Sequence, residues 1–296
     1  MTIPFFSMGG LFYWQDKYVY AGWKIQENIW SRRCRILDSH NVCRFKGSLR
    51  RCRSKLTDYI KDWEITLPSR EAVVIIPGLF QGKRTFERLM ETFQNVSYEV
   101  IFVSLPMFRF DVAQKATALN KLLNHRTDIK KFHFIAAGTG GLVLRKTLSL
   151  PSLWKNKIGR SVLICVPNNG IGWMEKYSSK WLYKKFLGKM GKCLLPAYAK
   201  KIPLMTGEFA TVNGGNGEGT QGFIPFIKGD NDGLLSAEDA FHENAKADFW
   251  IPDGTHFLLP NEKKTVDICK QFIRCGHSTR KRLTKERNFA SVFTDD

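Results

Sequence analysis

From residue 72 onward the chain alternates short apolar runs with amphipathic segments, and this alternation restricts the fold more than any other feature. Residues 72–76 read Ala-Val-Val-Ile-Ile. A continuous apolar run of that length is what a strand buried on both faces requires. Residues 84–94 are amphipathic, and residues 100–104 read Val-Ile-Phe-Val-Ser. Residues 112–124 place Ala113, Ala116, Leu119 and Leu123 on one helical face. Further strands are expected at 132–136, 162–166, 223–227 and 247–251, with a helix from about Leu142. Repeated strand–helix units predict an α/β protein with a mostly parallel central sheet and helices on both faces.

Residues 1–70 are patterned differently. The segments 34–37 and 42–45 flank the turn Asp38-Ser-His-Asn and predict a hairpin. Ser48 is placed to cap a helix running to about Asp62, with Leu49, Cys52, Leu56 and Ile60 on its apolar face. The expected organisation is this extension, packed on a core over 71–276, and a basic, disordered tail over 277–296. Residues 171–203 carry aromatic residues and leucines among many lysines (Trp173, Tyr177, Trp181, Leu182, Phe186 and Leu187 among them) and predict a lid-like insert of one or two helices. Residues 213–219 read as a flexible glycine-rich loop. The apolar stretch before Trp14 is interrupted by Pro4, Gly9 and Gly10. It is too short to span a bilayer, which takes about 20 apolar residues.

Seven cysteines with no Cys-x-x-Cys pair point to free thiols in a reducing compartment. The expected location is cytoplasmic, with peripheral contact at a membrane. The net charge is +19, which favours an anionic partner such as an acidic membrane surface. The basic clusters at 31–35, 50–55, 184–185 and 280–282 come without any nucleic-acid-binding motif, so the charge gives no specific nucleic-acid signal. Asp230, Asp232 and Glu238 lack the spacing of an EF-hand loop. Neither a metal nor a cofactor is expected.

Four segments carry a resemblance. Residues 74–80 read Val-Ile-Ile-Pro-Gly-Leu-Phe, a strand running into a Pro-Gly-Leu turn. Residues 133–145 read His-Phe-Ile-Ala-Ala-Gly-Thr-Gly-Gly-Leu-Val-Leu-Arg. Residues 229–236 read Gly-Asp-Asn-Asp-Gly-Leu-Leu-Ser, and residues 253–259 read Asp-Gly-Thr-His-Phe-Leu-Leu. In this order they resemble the oxyanion turn, nucleophile elbow, acid loop and histidine loop of bacterial lipases and esterases of the α/β-hydrolase fold. Residues 166–170 match the segment that follows the elbow helix in that group.

The resemblance assigns His256 as catalytic base and Asp232 as its acid, with Asp230 as the alternative acid. It assigns the N–H groups of Leu79 and Thr139 to the oxyanion hole. The serine position falls on Gly138, preceded by Ala136 and Ala137, and Pro77 stands where the histidine of the oxyanion turn is usual. Glycine has no group to attack a carbonyl. The expectation is therefore a degenerate hydrolase that binds an apolar or acyl ligand. The alternative is an ester hydrolase that uses Thr139, or a water activated by His256 and Asp232. A third expectation is a basic protein at an anionic membrane surface.

Overall fold

In the computed structural model, which describes residues 13–106, 109–217 and 221–276, two sheets organise the chain. The larger has six strands, all parallel: β5 (Glu71–Ile76), β6 (Glu99–Phe102), β7 (Lys131–Ala137), β8 (Ile158–Ile164), β9 (Phe209–Gly215) and β10 (Ala247–Pro252). Their order is β10-β9-β8-β7-β5-β6. Strand β5 shows why its sequence has no polar face. Ala72, Val74 and Ile76 enter one core layer with Val112, Leu119 and Leu142 of helices α3 (Val112–Asn124) and α4 (Thr139–Leu148). Val73 and Ile75 enter the opposite layer with Leu89 and Phe93 of α2 (Glu87–Gln94), and with Val266 and Phe272 of α8 (Lys263–Cys275). Both faces are covered, so every second residue cannot be polar.

The smaller sheet is an antiparallel meander of β1 (Trp14–Tyr20), β2 (Trp23–Asn28), β3 (Cys34–Leu37) and β4 (Cys43–Gly47). Helix α1 (Leu49–Asp62) packs on it, and the Ser48 hydroxyl accepts a hydrogen bond from the Arg51 N–H. Cys52 and Leu56 are buried against Ile25 and Ile36. The hairpin and helix lie where the sequence places them. Strands β1 and β2 escape the pattern because polar residues are buried beside apolar ones along them. Asp16 is buried and accepts from Lys24 and Gln26. These groups also cover the edge of the large sheet: the Asp16 carboxylate accepts from the Ser104 N–H at 2.8 Å, and Lys24 donates to the Phe102 carbonyl.

Two expected elements change. Residues 223–227 form no strand. Asn231 is fully buried, and its side chain bonds both the N–H and the C=O of Ile224, which Pro225 follows, so this backbone turns around the acid loop. Conversely, residues 213–215 are the end of β9 rather than a loop. A Cβ on Gly214 would strike the Gly254 carbonyl. The glycine serves a close approach between β9 and the loop that precedes His256.

The insert holds helix α5 (Trp181–Cys193), kinked at Gly188, and helix α6 (Pro196–Ala199). A last short helix, α7 (Ala237–Ala240), follows the acid loop. The stretch before Tyr13, the tail from 277, residues 218–220 and the side chains of Leu182 and Phe186 lie outside the described residues. All seven cysteines are free. Among the described residues, no helix is long and apolar enough to cross a membrane.

Candidate active site

The residues singled out by the sequence gather at the carboxyl ends of the parallel strands, where open α/β sheets place their ligands. Strand β7 ends at Ala137, and α4 begins at Thr139, three residues earlier than the sequence pattern indicates. Gly138 makes the whole turn between them, with φ +49° and ψ −129°. Side chains rarely adopt that backbone, and glycine adopts it with no steric penalty. The turn is tight: a Cβ on Gly140 would strike the carbonyl oxygen of Ile76. A sharp, closely packed strand-to-helix turn is thus formed at a position with no side chain.

His256 sits in the loop after β10 and is buried. Its backbone N–H donates to the Asp232 carbonyl at 2.9 Å, and its ring Nδ1 lies 2.8 Å from Asp232 Oδ2. A carboxylate partner keeps the proton on Nδ1 and leaves Nε2 to face outward. Nε2 faces Gly138: a Cβ built on that glycine would lie 3.4 Å from it. The other carboxylate oxygen of Asp232 accepts from the N–H groups of Leu234 and Leu235 at 2.9 and 2.7 Å.

Asp230, two residues away, does other work. Its carboxylate accepts from the N–H groups of Asn216 and Gly217 and so braces the loop after β9. Of the two candidate acids, Asp232 is the one bonded to His256.

The remaining walls come from the Pro77–Gly78–Leu79 turn and the insert. Gly78 N–H donates to Gln81 Oε1 at 2.8 Å, which pins the Pro77–Gly78–Leu79 turn against the elbow. Thr139 is the first residue of α4, where helix N–H groups have no intrahelical acceptor. Its side chain is buried and lines a cavity of about 20 Å³, with Gly78, Leu79, Gln81, Ser104 and Lys115 around it. That is room for a single water molecule or one ligand oxygen.

Burial lowers the Lys115 ammonium to a pKa of about 8. Arg145, the last residue of the elbow motif, is buried and donates to the carbonyls of Asn168, Ile202 and Pro203, tying the insert to α4. Trp173 Nε1 donates to the Leu234 carbonyl at 2.9 Å and ties the other end of the insert to the acid loop.

Two participants gave no sequence signal. Lys115 is one, because a lysine in an amphipathic helix reads as surface. The other is Cys165, buried at the end of β8. Burial pushes its thiol far up, and the protonated thiol bonds the Asp232 carboxylate. Cys165, Asp232 and His256 form the one group among the described residues whose donor atoms, all within 4.8 Å, are close enough to hold a metal ion. The protonated thiol and the short Asp232–His256 bond fit a hydrogen-bonded cluster instead.

No family model matches the chain, and no curated protein matches it. Solved structures do. The mature form of the lipase BlEst2 from Bacillus licheniformis is similar with a TM-score of 0.51 at 17% identity, over 69% of this chain and 91% of that one. The propeptide form of the same lipase is similar with a TM-score of 0.53 at 16% identity, over 73% of this chain and 52% of that one. This chain therefore spans about half of that longer form. At such identities the likeness carries the fold: a lipase- and esterase-like α/β-hydrolase fold around a six-stranded parallel sheet.

Proposed function

We propose that this chain is a disarmed relative of the lipases and esterases, and that its cleft binds an acyl ligand without attacking it. One observation supports this reading above the others. Gly138 keeps the elbow backbone at φ +49°, its missing side chain would point at His256 Nε2 from 3.4 Å, and His256 is still bonded to Asp232. Base and acid are positioned around an absent nucleophile. Thr139 supplies the nearest hydroxyl in sequence, but it is buried and borders a cavity that Lys115 and Ser104 also line.

Hydrolysis of p-nitrophenyl butyrate by three proteins tests the reading. The wild type is expected to be inactive, Gly138→Ser active by about 10³-fold or more over it, and Gly138→Ser with His256→Ala inactive again. A wild type that turns over ester and loses this with His256→Ala would overturn the reading in favour of a water or Thr139 mechanism.

A second reading concerns where the ligand is met. Phe226, Tyr177 and Trp181 are exposed. The Trp173 ring packs on both Phe226 and Tyr177, and the Lys180 ammonium lies 5.1 Å from the Tyr177 ring centroid. Aromatic residues interleaved with lysines fit an anionic membrane surface. Binding to phosphatidylserine vesicles is expected to fall as salt rises and to weaken in Trp181→Ala. Equal binding to neutral vesicles would remove this reading.

A further inference from the structure

The amino-terminal extension and the α/β core form a second cavity, of about 230 Å³, away from the cleft. Helix α3 ends at Asn124 and β7 begins at Lys131, so His125 lies toward the amino ends of the parallel strands, whereas His256 follows β10 at their carboxyl ends. Helix α1 supplies one wall with Arg53, Leu56, Thr57 and Ile60, which the helical repeat places on one face. Tyr18 of β1, Ile25 of β2 and His125 supply the others. Ile25 and Leu56 are 0% and 2% exposed, so the deepest part of the wall is apolar. Two basic groups line the same space. Arg53 Nη2 donates to His125 Nε2 at 3.4 Å, and Arg53 has no carboxylate partner among the described residues. Burial and, after it, the Arg53 charge hold the His125 imidazole below its ordinary pKa, so the two groups compete for positive charge. The nearby Asp128 carboxylate, whose charge reaches Tyr18, is paired with Arg126 at 2.8 Å.

We propose that this cavity binds a small organic monoanion with an apolar body, of the class of aromatic carboxylates. The Arg53 guanidinium takes the carboxylate, whose two oxygens its planar fork matches. The apolar body rests on Ile25, Leu56 and Ile60. The volume suits this class. An apolar cavity of about 150 Å³ takes up benzene, so about 230 Å³ leaves room for a carboxylate beside a ring. A single guanidinium above apolar side chains matches such an anion better than inorganic phosphate, which has no apolar body. A neutral amide of the same acid offers the body without the charge. The walls belong both to the extension and to the end of α3, so a bound ligand joins the two parts of the molecule. The site is separate from the cleft and does not depend on the acyl-ligand reading.

Titration of the full chain with phenylacetate, phenylacetamide and inorganic phosphate, followed through the His125 ring resonances by NMR, tests the proposal. His125→Gln assigns those resonances among the six histidines. Phenylacetate is expected to shift them saturably and to bind more tightly than phenylacetamide or phosphate by about five-fold or more, the scale of a partly exposed ion pair. Arg53→Met is expected to abolish the preference for acid over amide, and Arg53→Lys to keep part of it. Arg51→Met is expected to leave it unchanged, because the Arg51 guanidinium lies over the Phe45 ring and does not line the cavity. Thermal melting identifies a variant that fails to fold, and the comparison of the three compounds on the wild type needs no variant. Equal affinity for acid and amide, phosphate binding as tight as that of phenylacetate, a preference that survives Arg53→Met, or no saturable shift overturns the inference. A saturable shift of the His256 ring in place of His125 puts the ligand in the cleft and overturns it as well.

Discussion

On the elbow side of the cleft, Ala136, Ala137 and Gly138 carry no polar side-chain atom, and Pro77 contributes none. On the opposite side Asp230, Asn231, Asp232 and His256 are all buried, at 2%, 0%, 3% and 6% exposure, and all are hydrogen-bonded. The two sides face each other across a few ångströms, and only one carries polar side chains at these positions. The difference has a structural cause. The elbow side is held by backbone packing, with Gly140 against the Ile76 carbonyl, so its side chains can change without moving the main chain. The acid–base side is held by its side chains. Removing the side chain of Asp230, Asn231 or Asp232 takes the acceptor from backbone N–H groups, and removing that of His256 takes a donor from the Asp232 carboxylate; each such loss costs about 1–3 kcal/mol. Structure alone preserves Asp232 and His256 whether or not they catalyse.

The largest expected effect breaks the acid–base side in an armed background. In Gly138→Ser, a further Asp232→Asn change removes the group that fixes the His256 tautomer, and ester turnover should fall by about 10⁴-fold. Turnover within ten-fold of the parent would mean that the Asp232–His256 bond only supports the loop. Next comes the elbow backbone. Gly140→Ala should destabilise the protein by about 3 kcal/mol, because the new methyl meets a carbonyl oxygen and not a flexible side chain. Urea unfolding reads this, and an unchanged midpoint would show that the close approach is not there.

Asp230→Ala should cost about 2 kcal/mol through the two lost charge-assisted hydrogen bonds from the Asn216 and Gly217 N–H groups. In the armed background its turnover should stay within ten-fold, which separates the bracing carboxylate from the pairing one. The smallest effect sharpens the contrast most. Gly138→Ser should lose about 1–2 kcal/mol of stability while gaining activity, since a side chain must then occupy a positive-φ turn. A more stable Gly138→Ser protein would contradict the argument that glycine relaxes the elbow.

The sequence made much of this legible. The run at 72–76 has no polar residue and that at 132–136 has only His133, so both fit strands covered on both faces. The hairpin at 34–45 and the Ser48 cap depend on neighbours in the chain and were read correctly for that reason. Strands β1 and β2 were not, because Asp16, Lys24 and Gln26 point inward and satisfy one another, which hides the strand period. Residues 223–227 misled in the opposite sense: they are rich in apolar residues, but their backbone partner is the side chain of Asn231. The glycines at 214 and 215 looked like a loop because the groups they approach, Gly254 and Asp230, lie far along the chain.

By itself the sequence determined the layered α/β architecture, the order of the segments around Gly138, Asp232 and His256, and the absence of a serine at 138, because periodicity and motif order are local properties. Tertiary structure alone decided that Asp232 rather than Asp230 pairs with His256, that the His256 ring faces the empty elbow, and that Lys115 joins the cavity beside it. Those outcomes depend on where distant strand ends meet, and packing across the sheet fixes that.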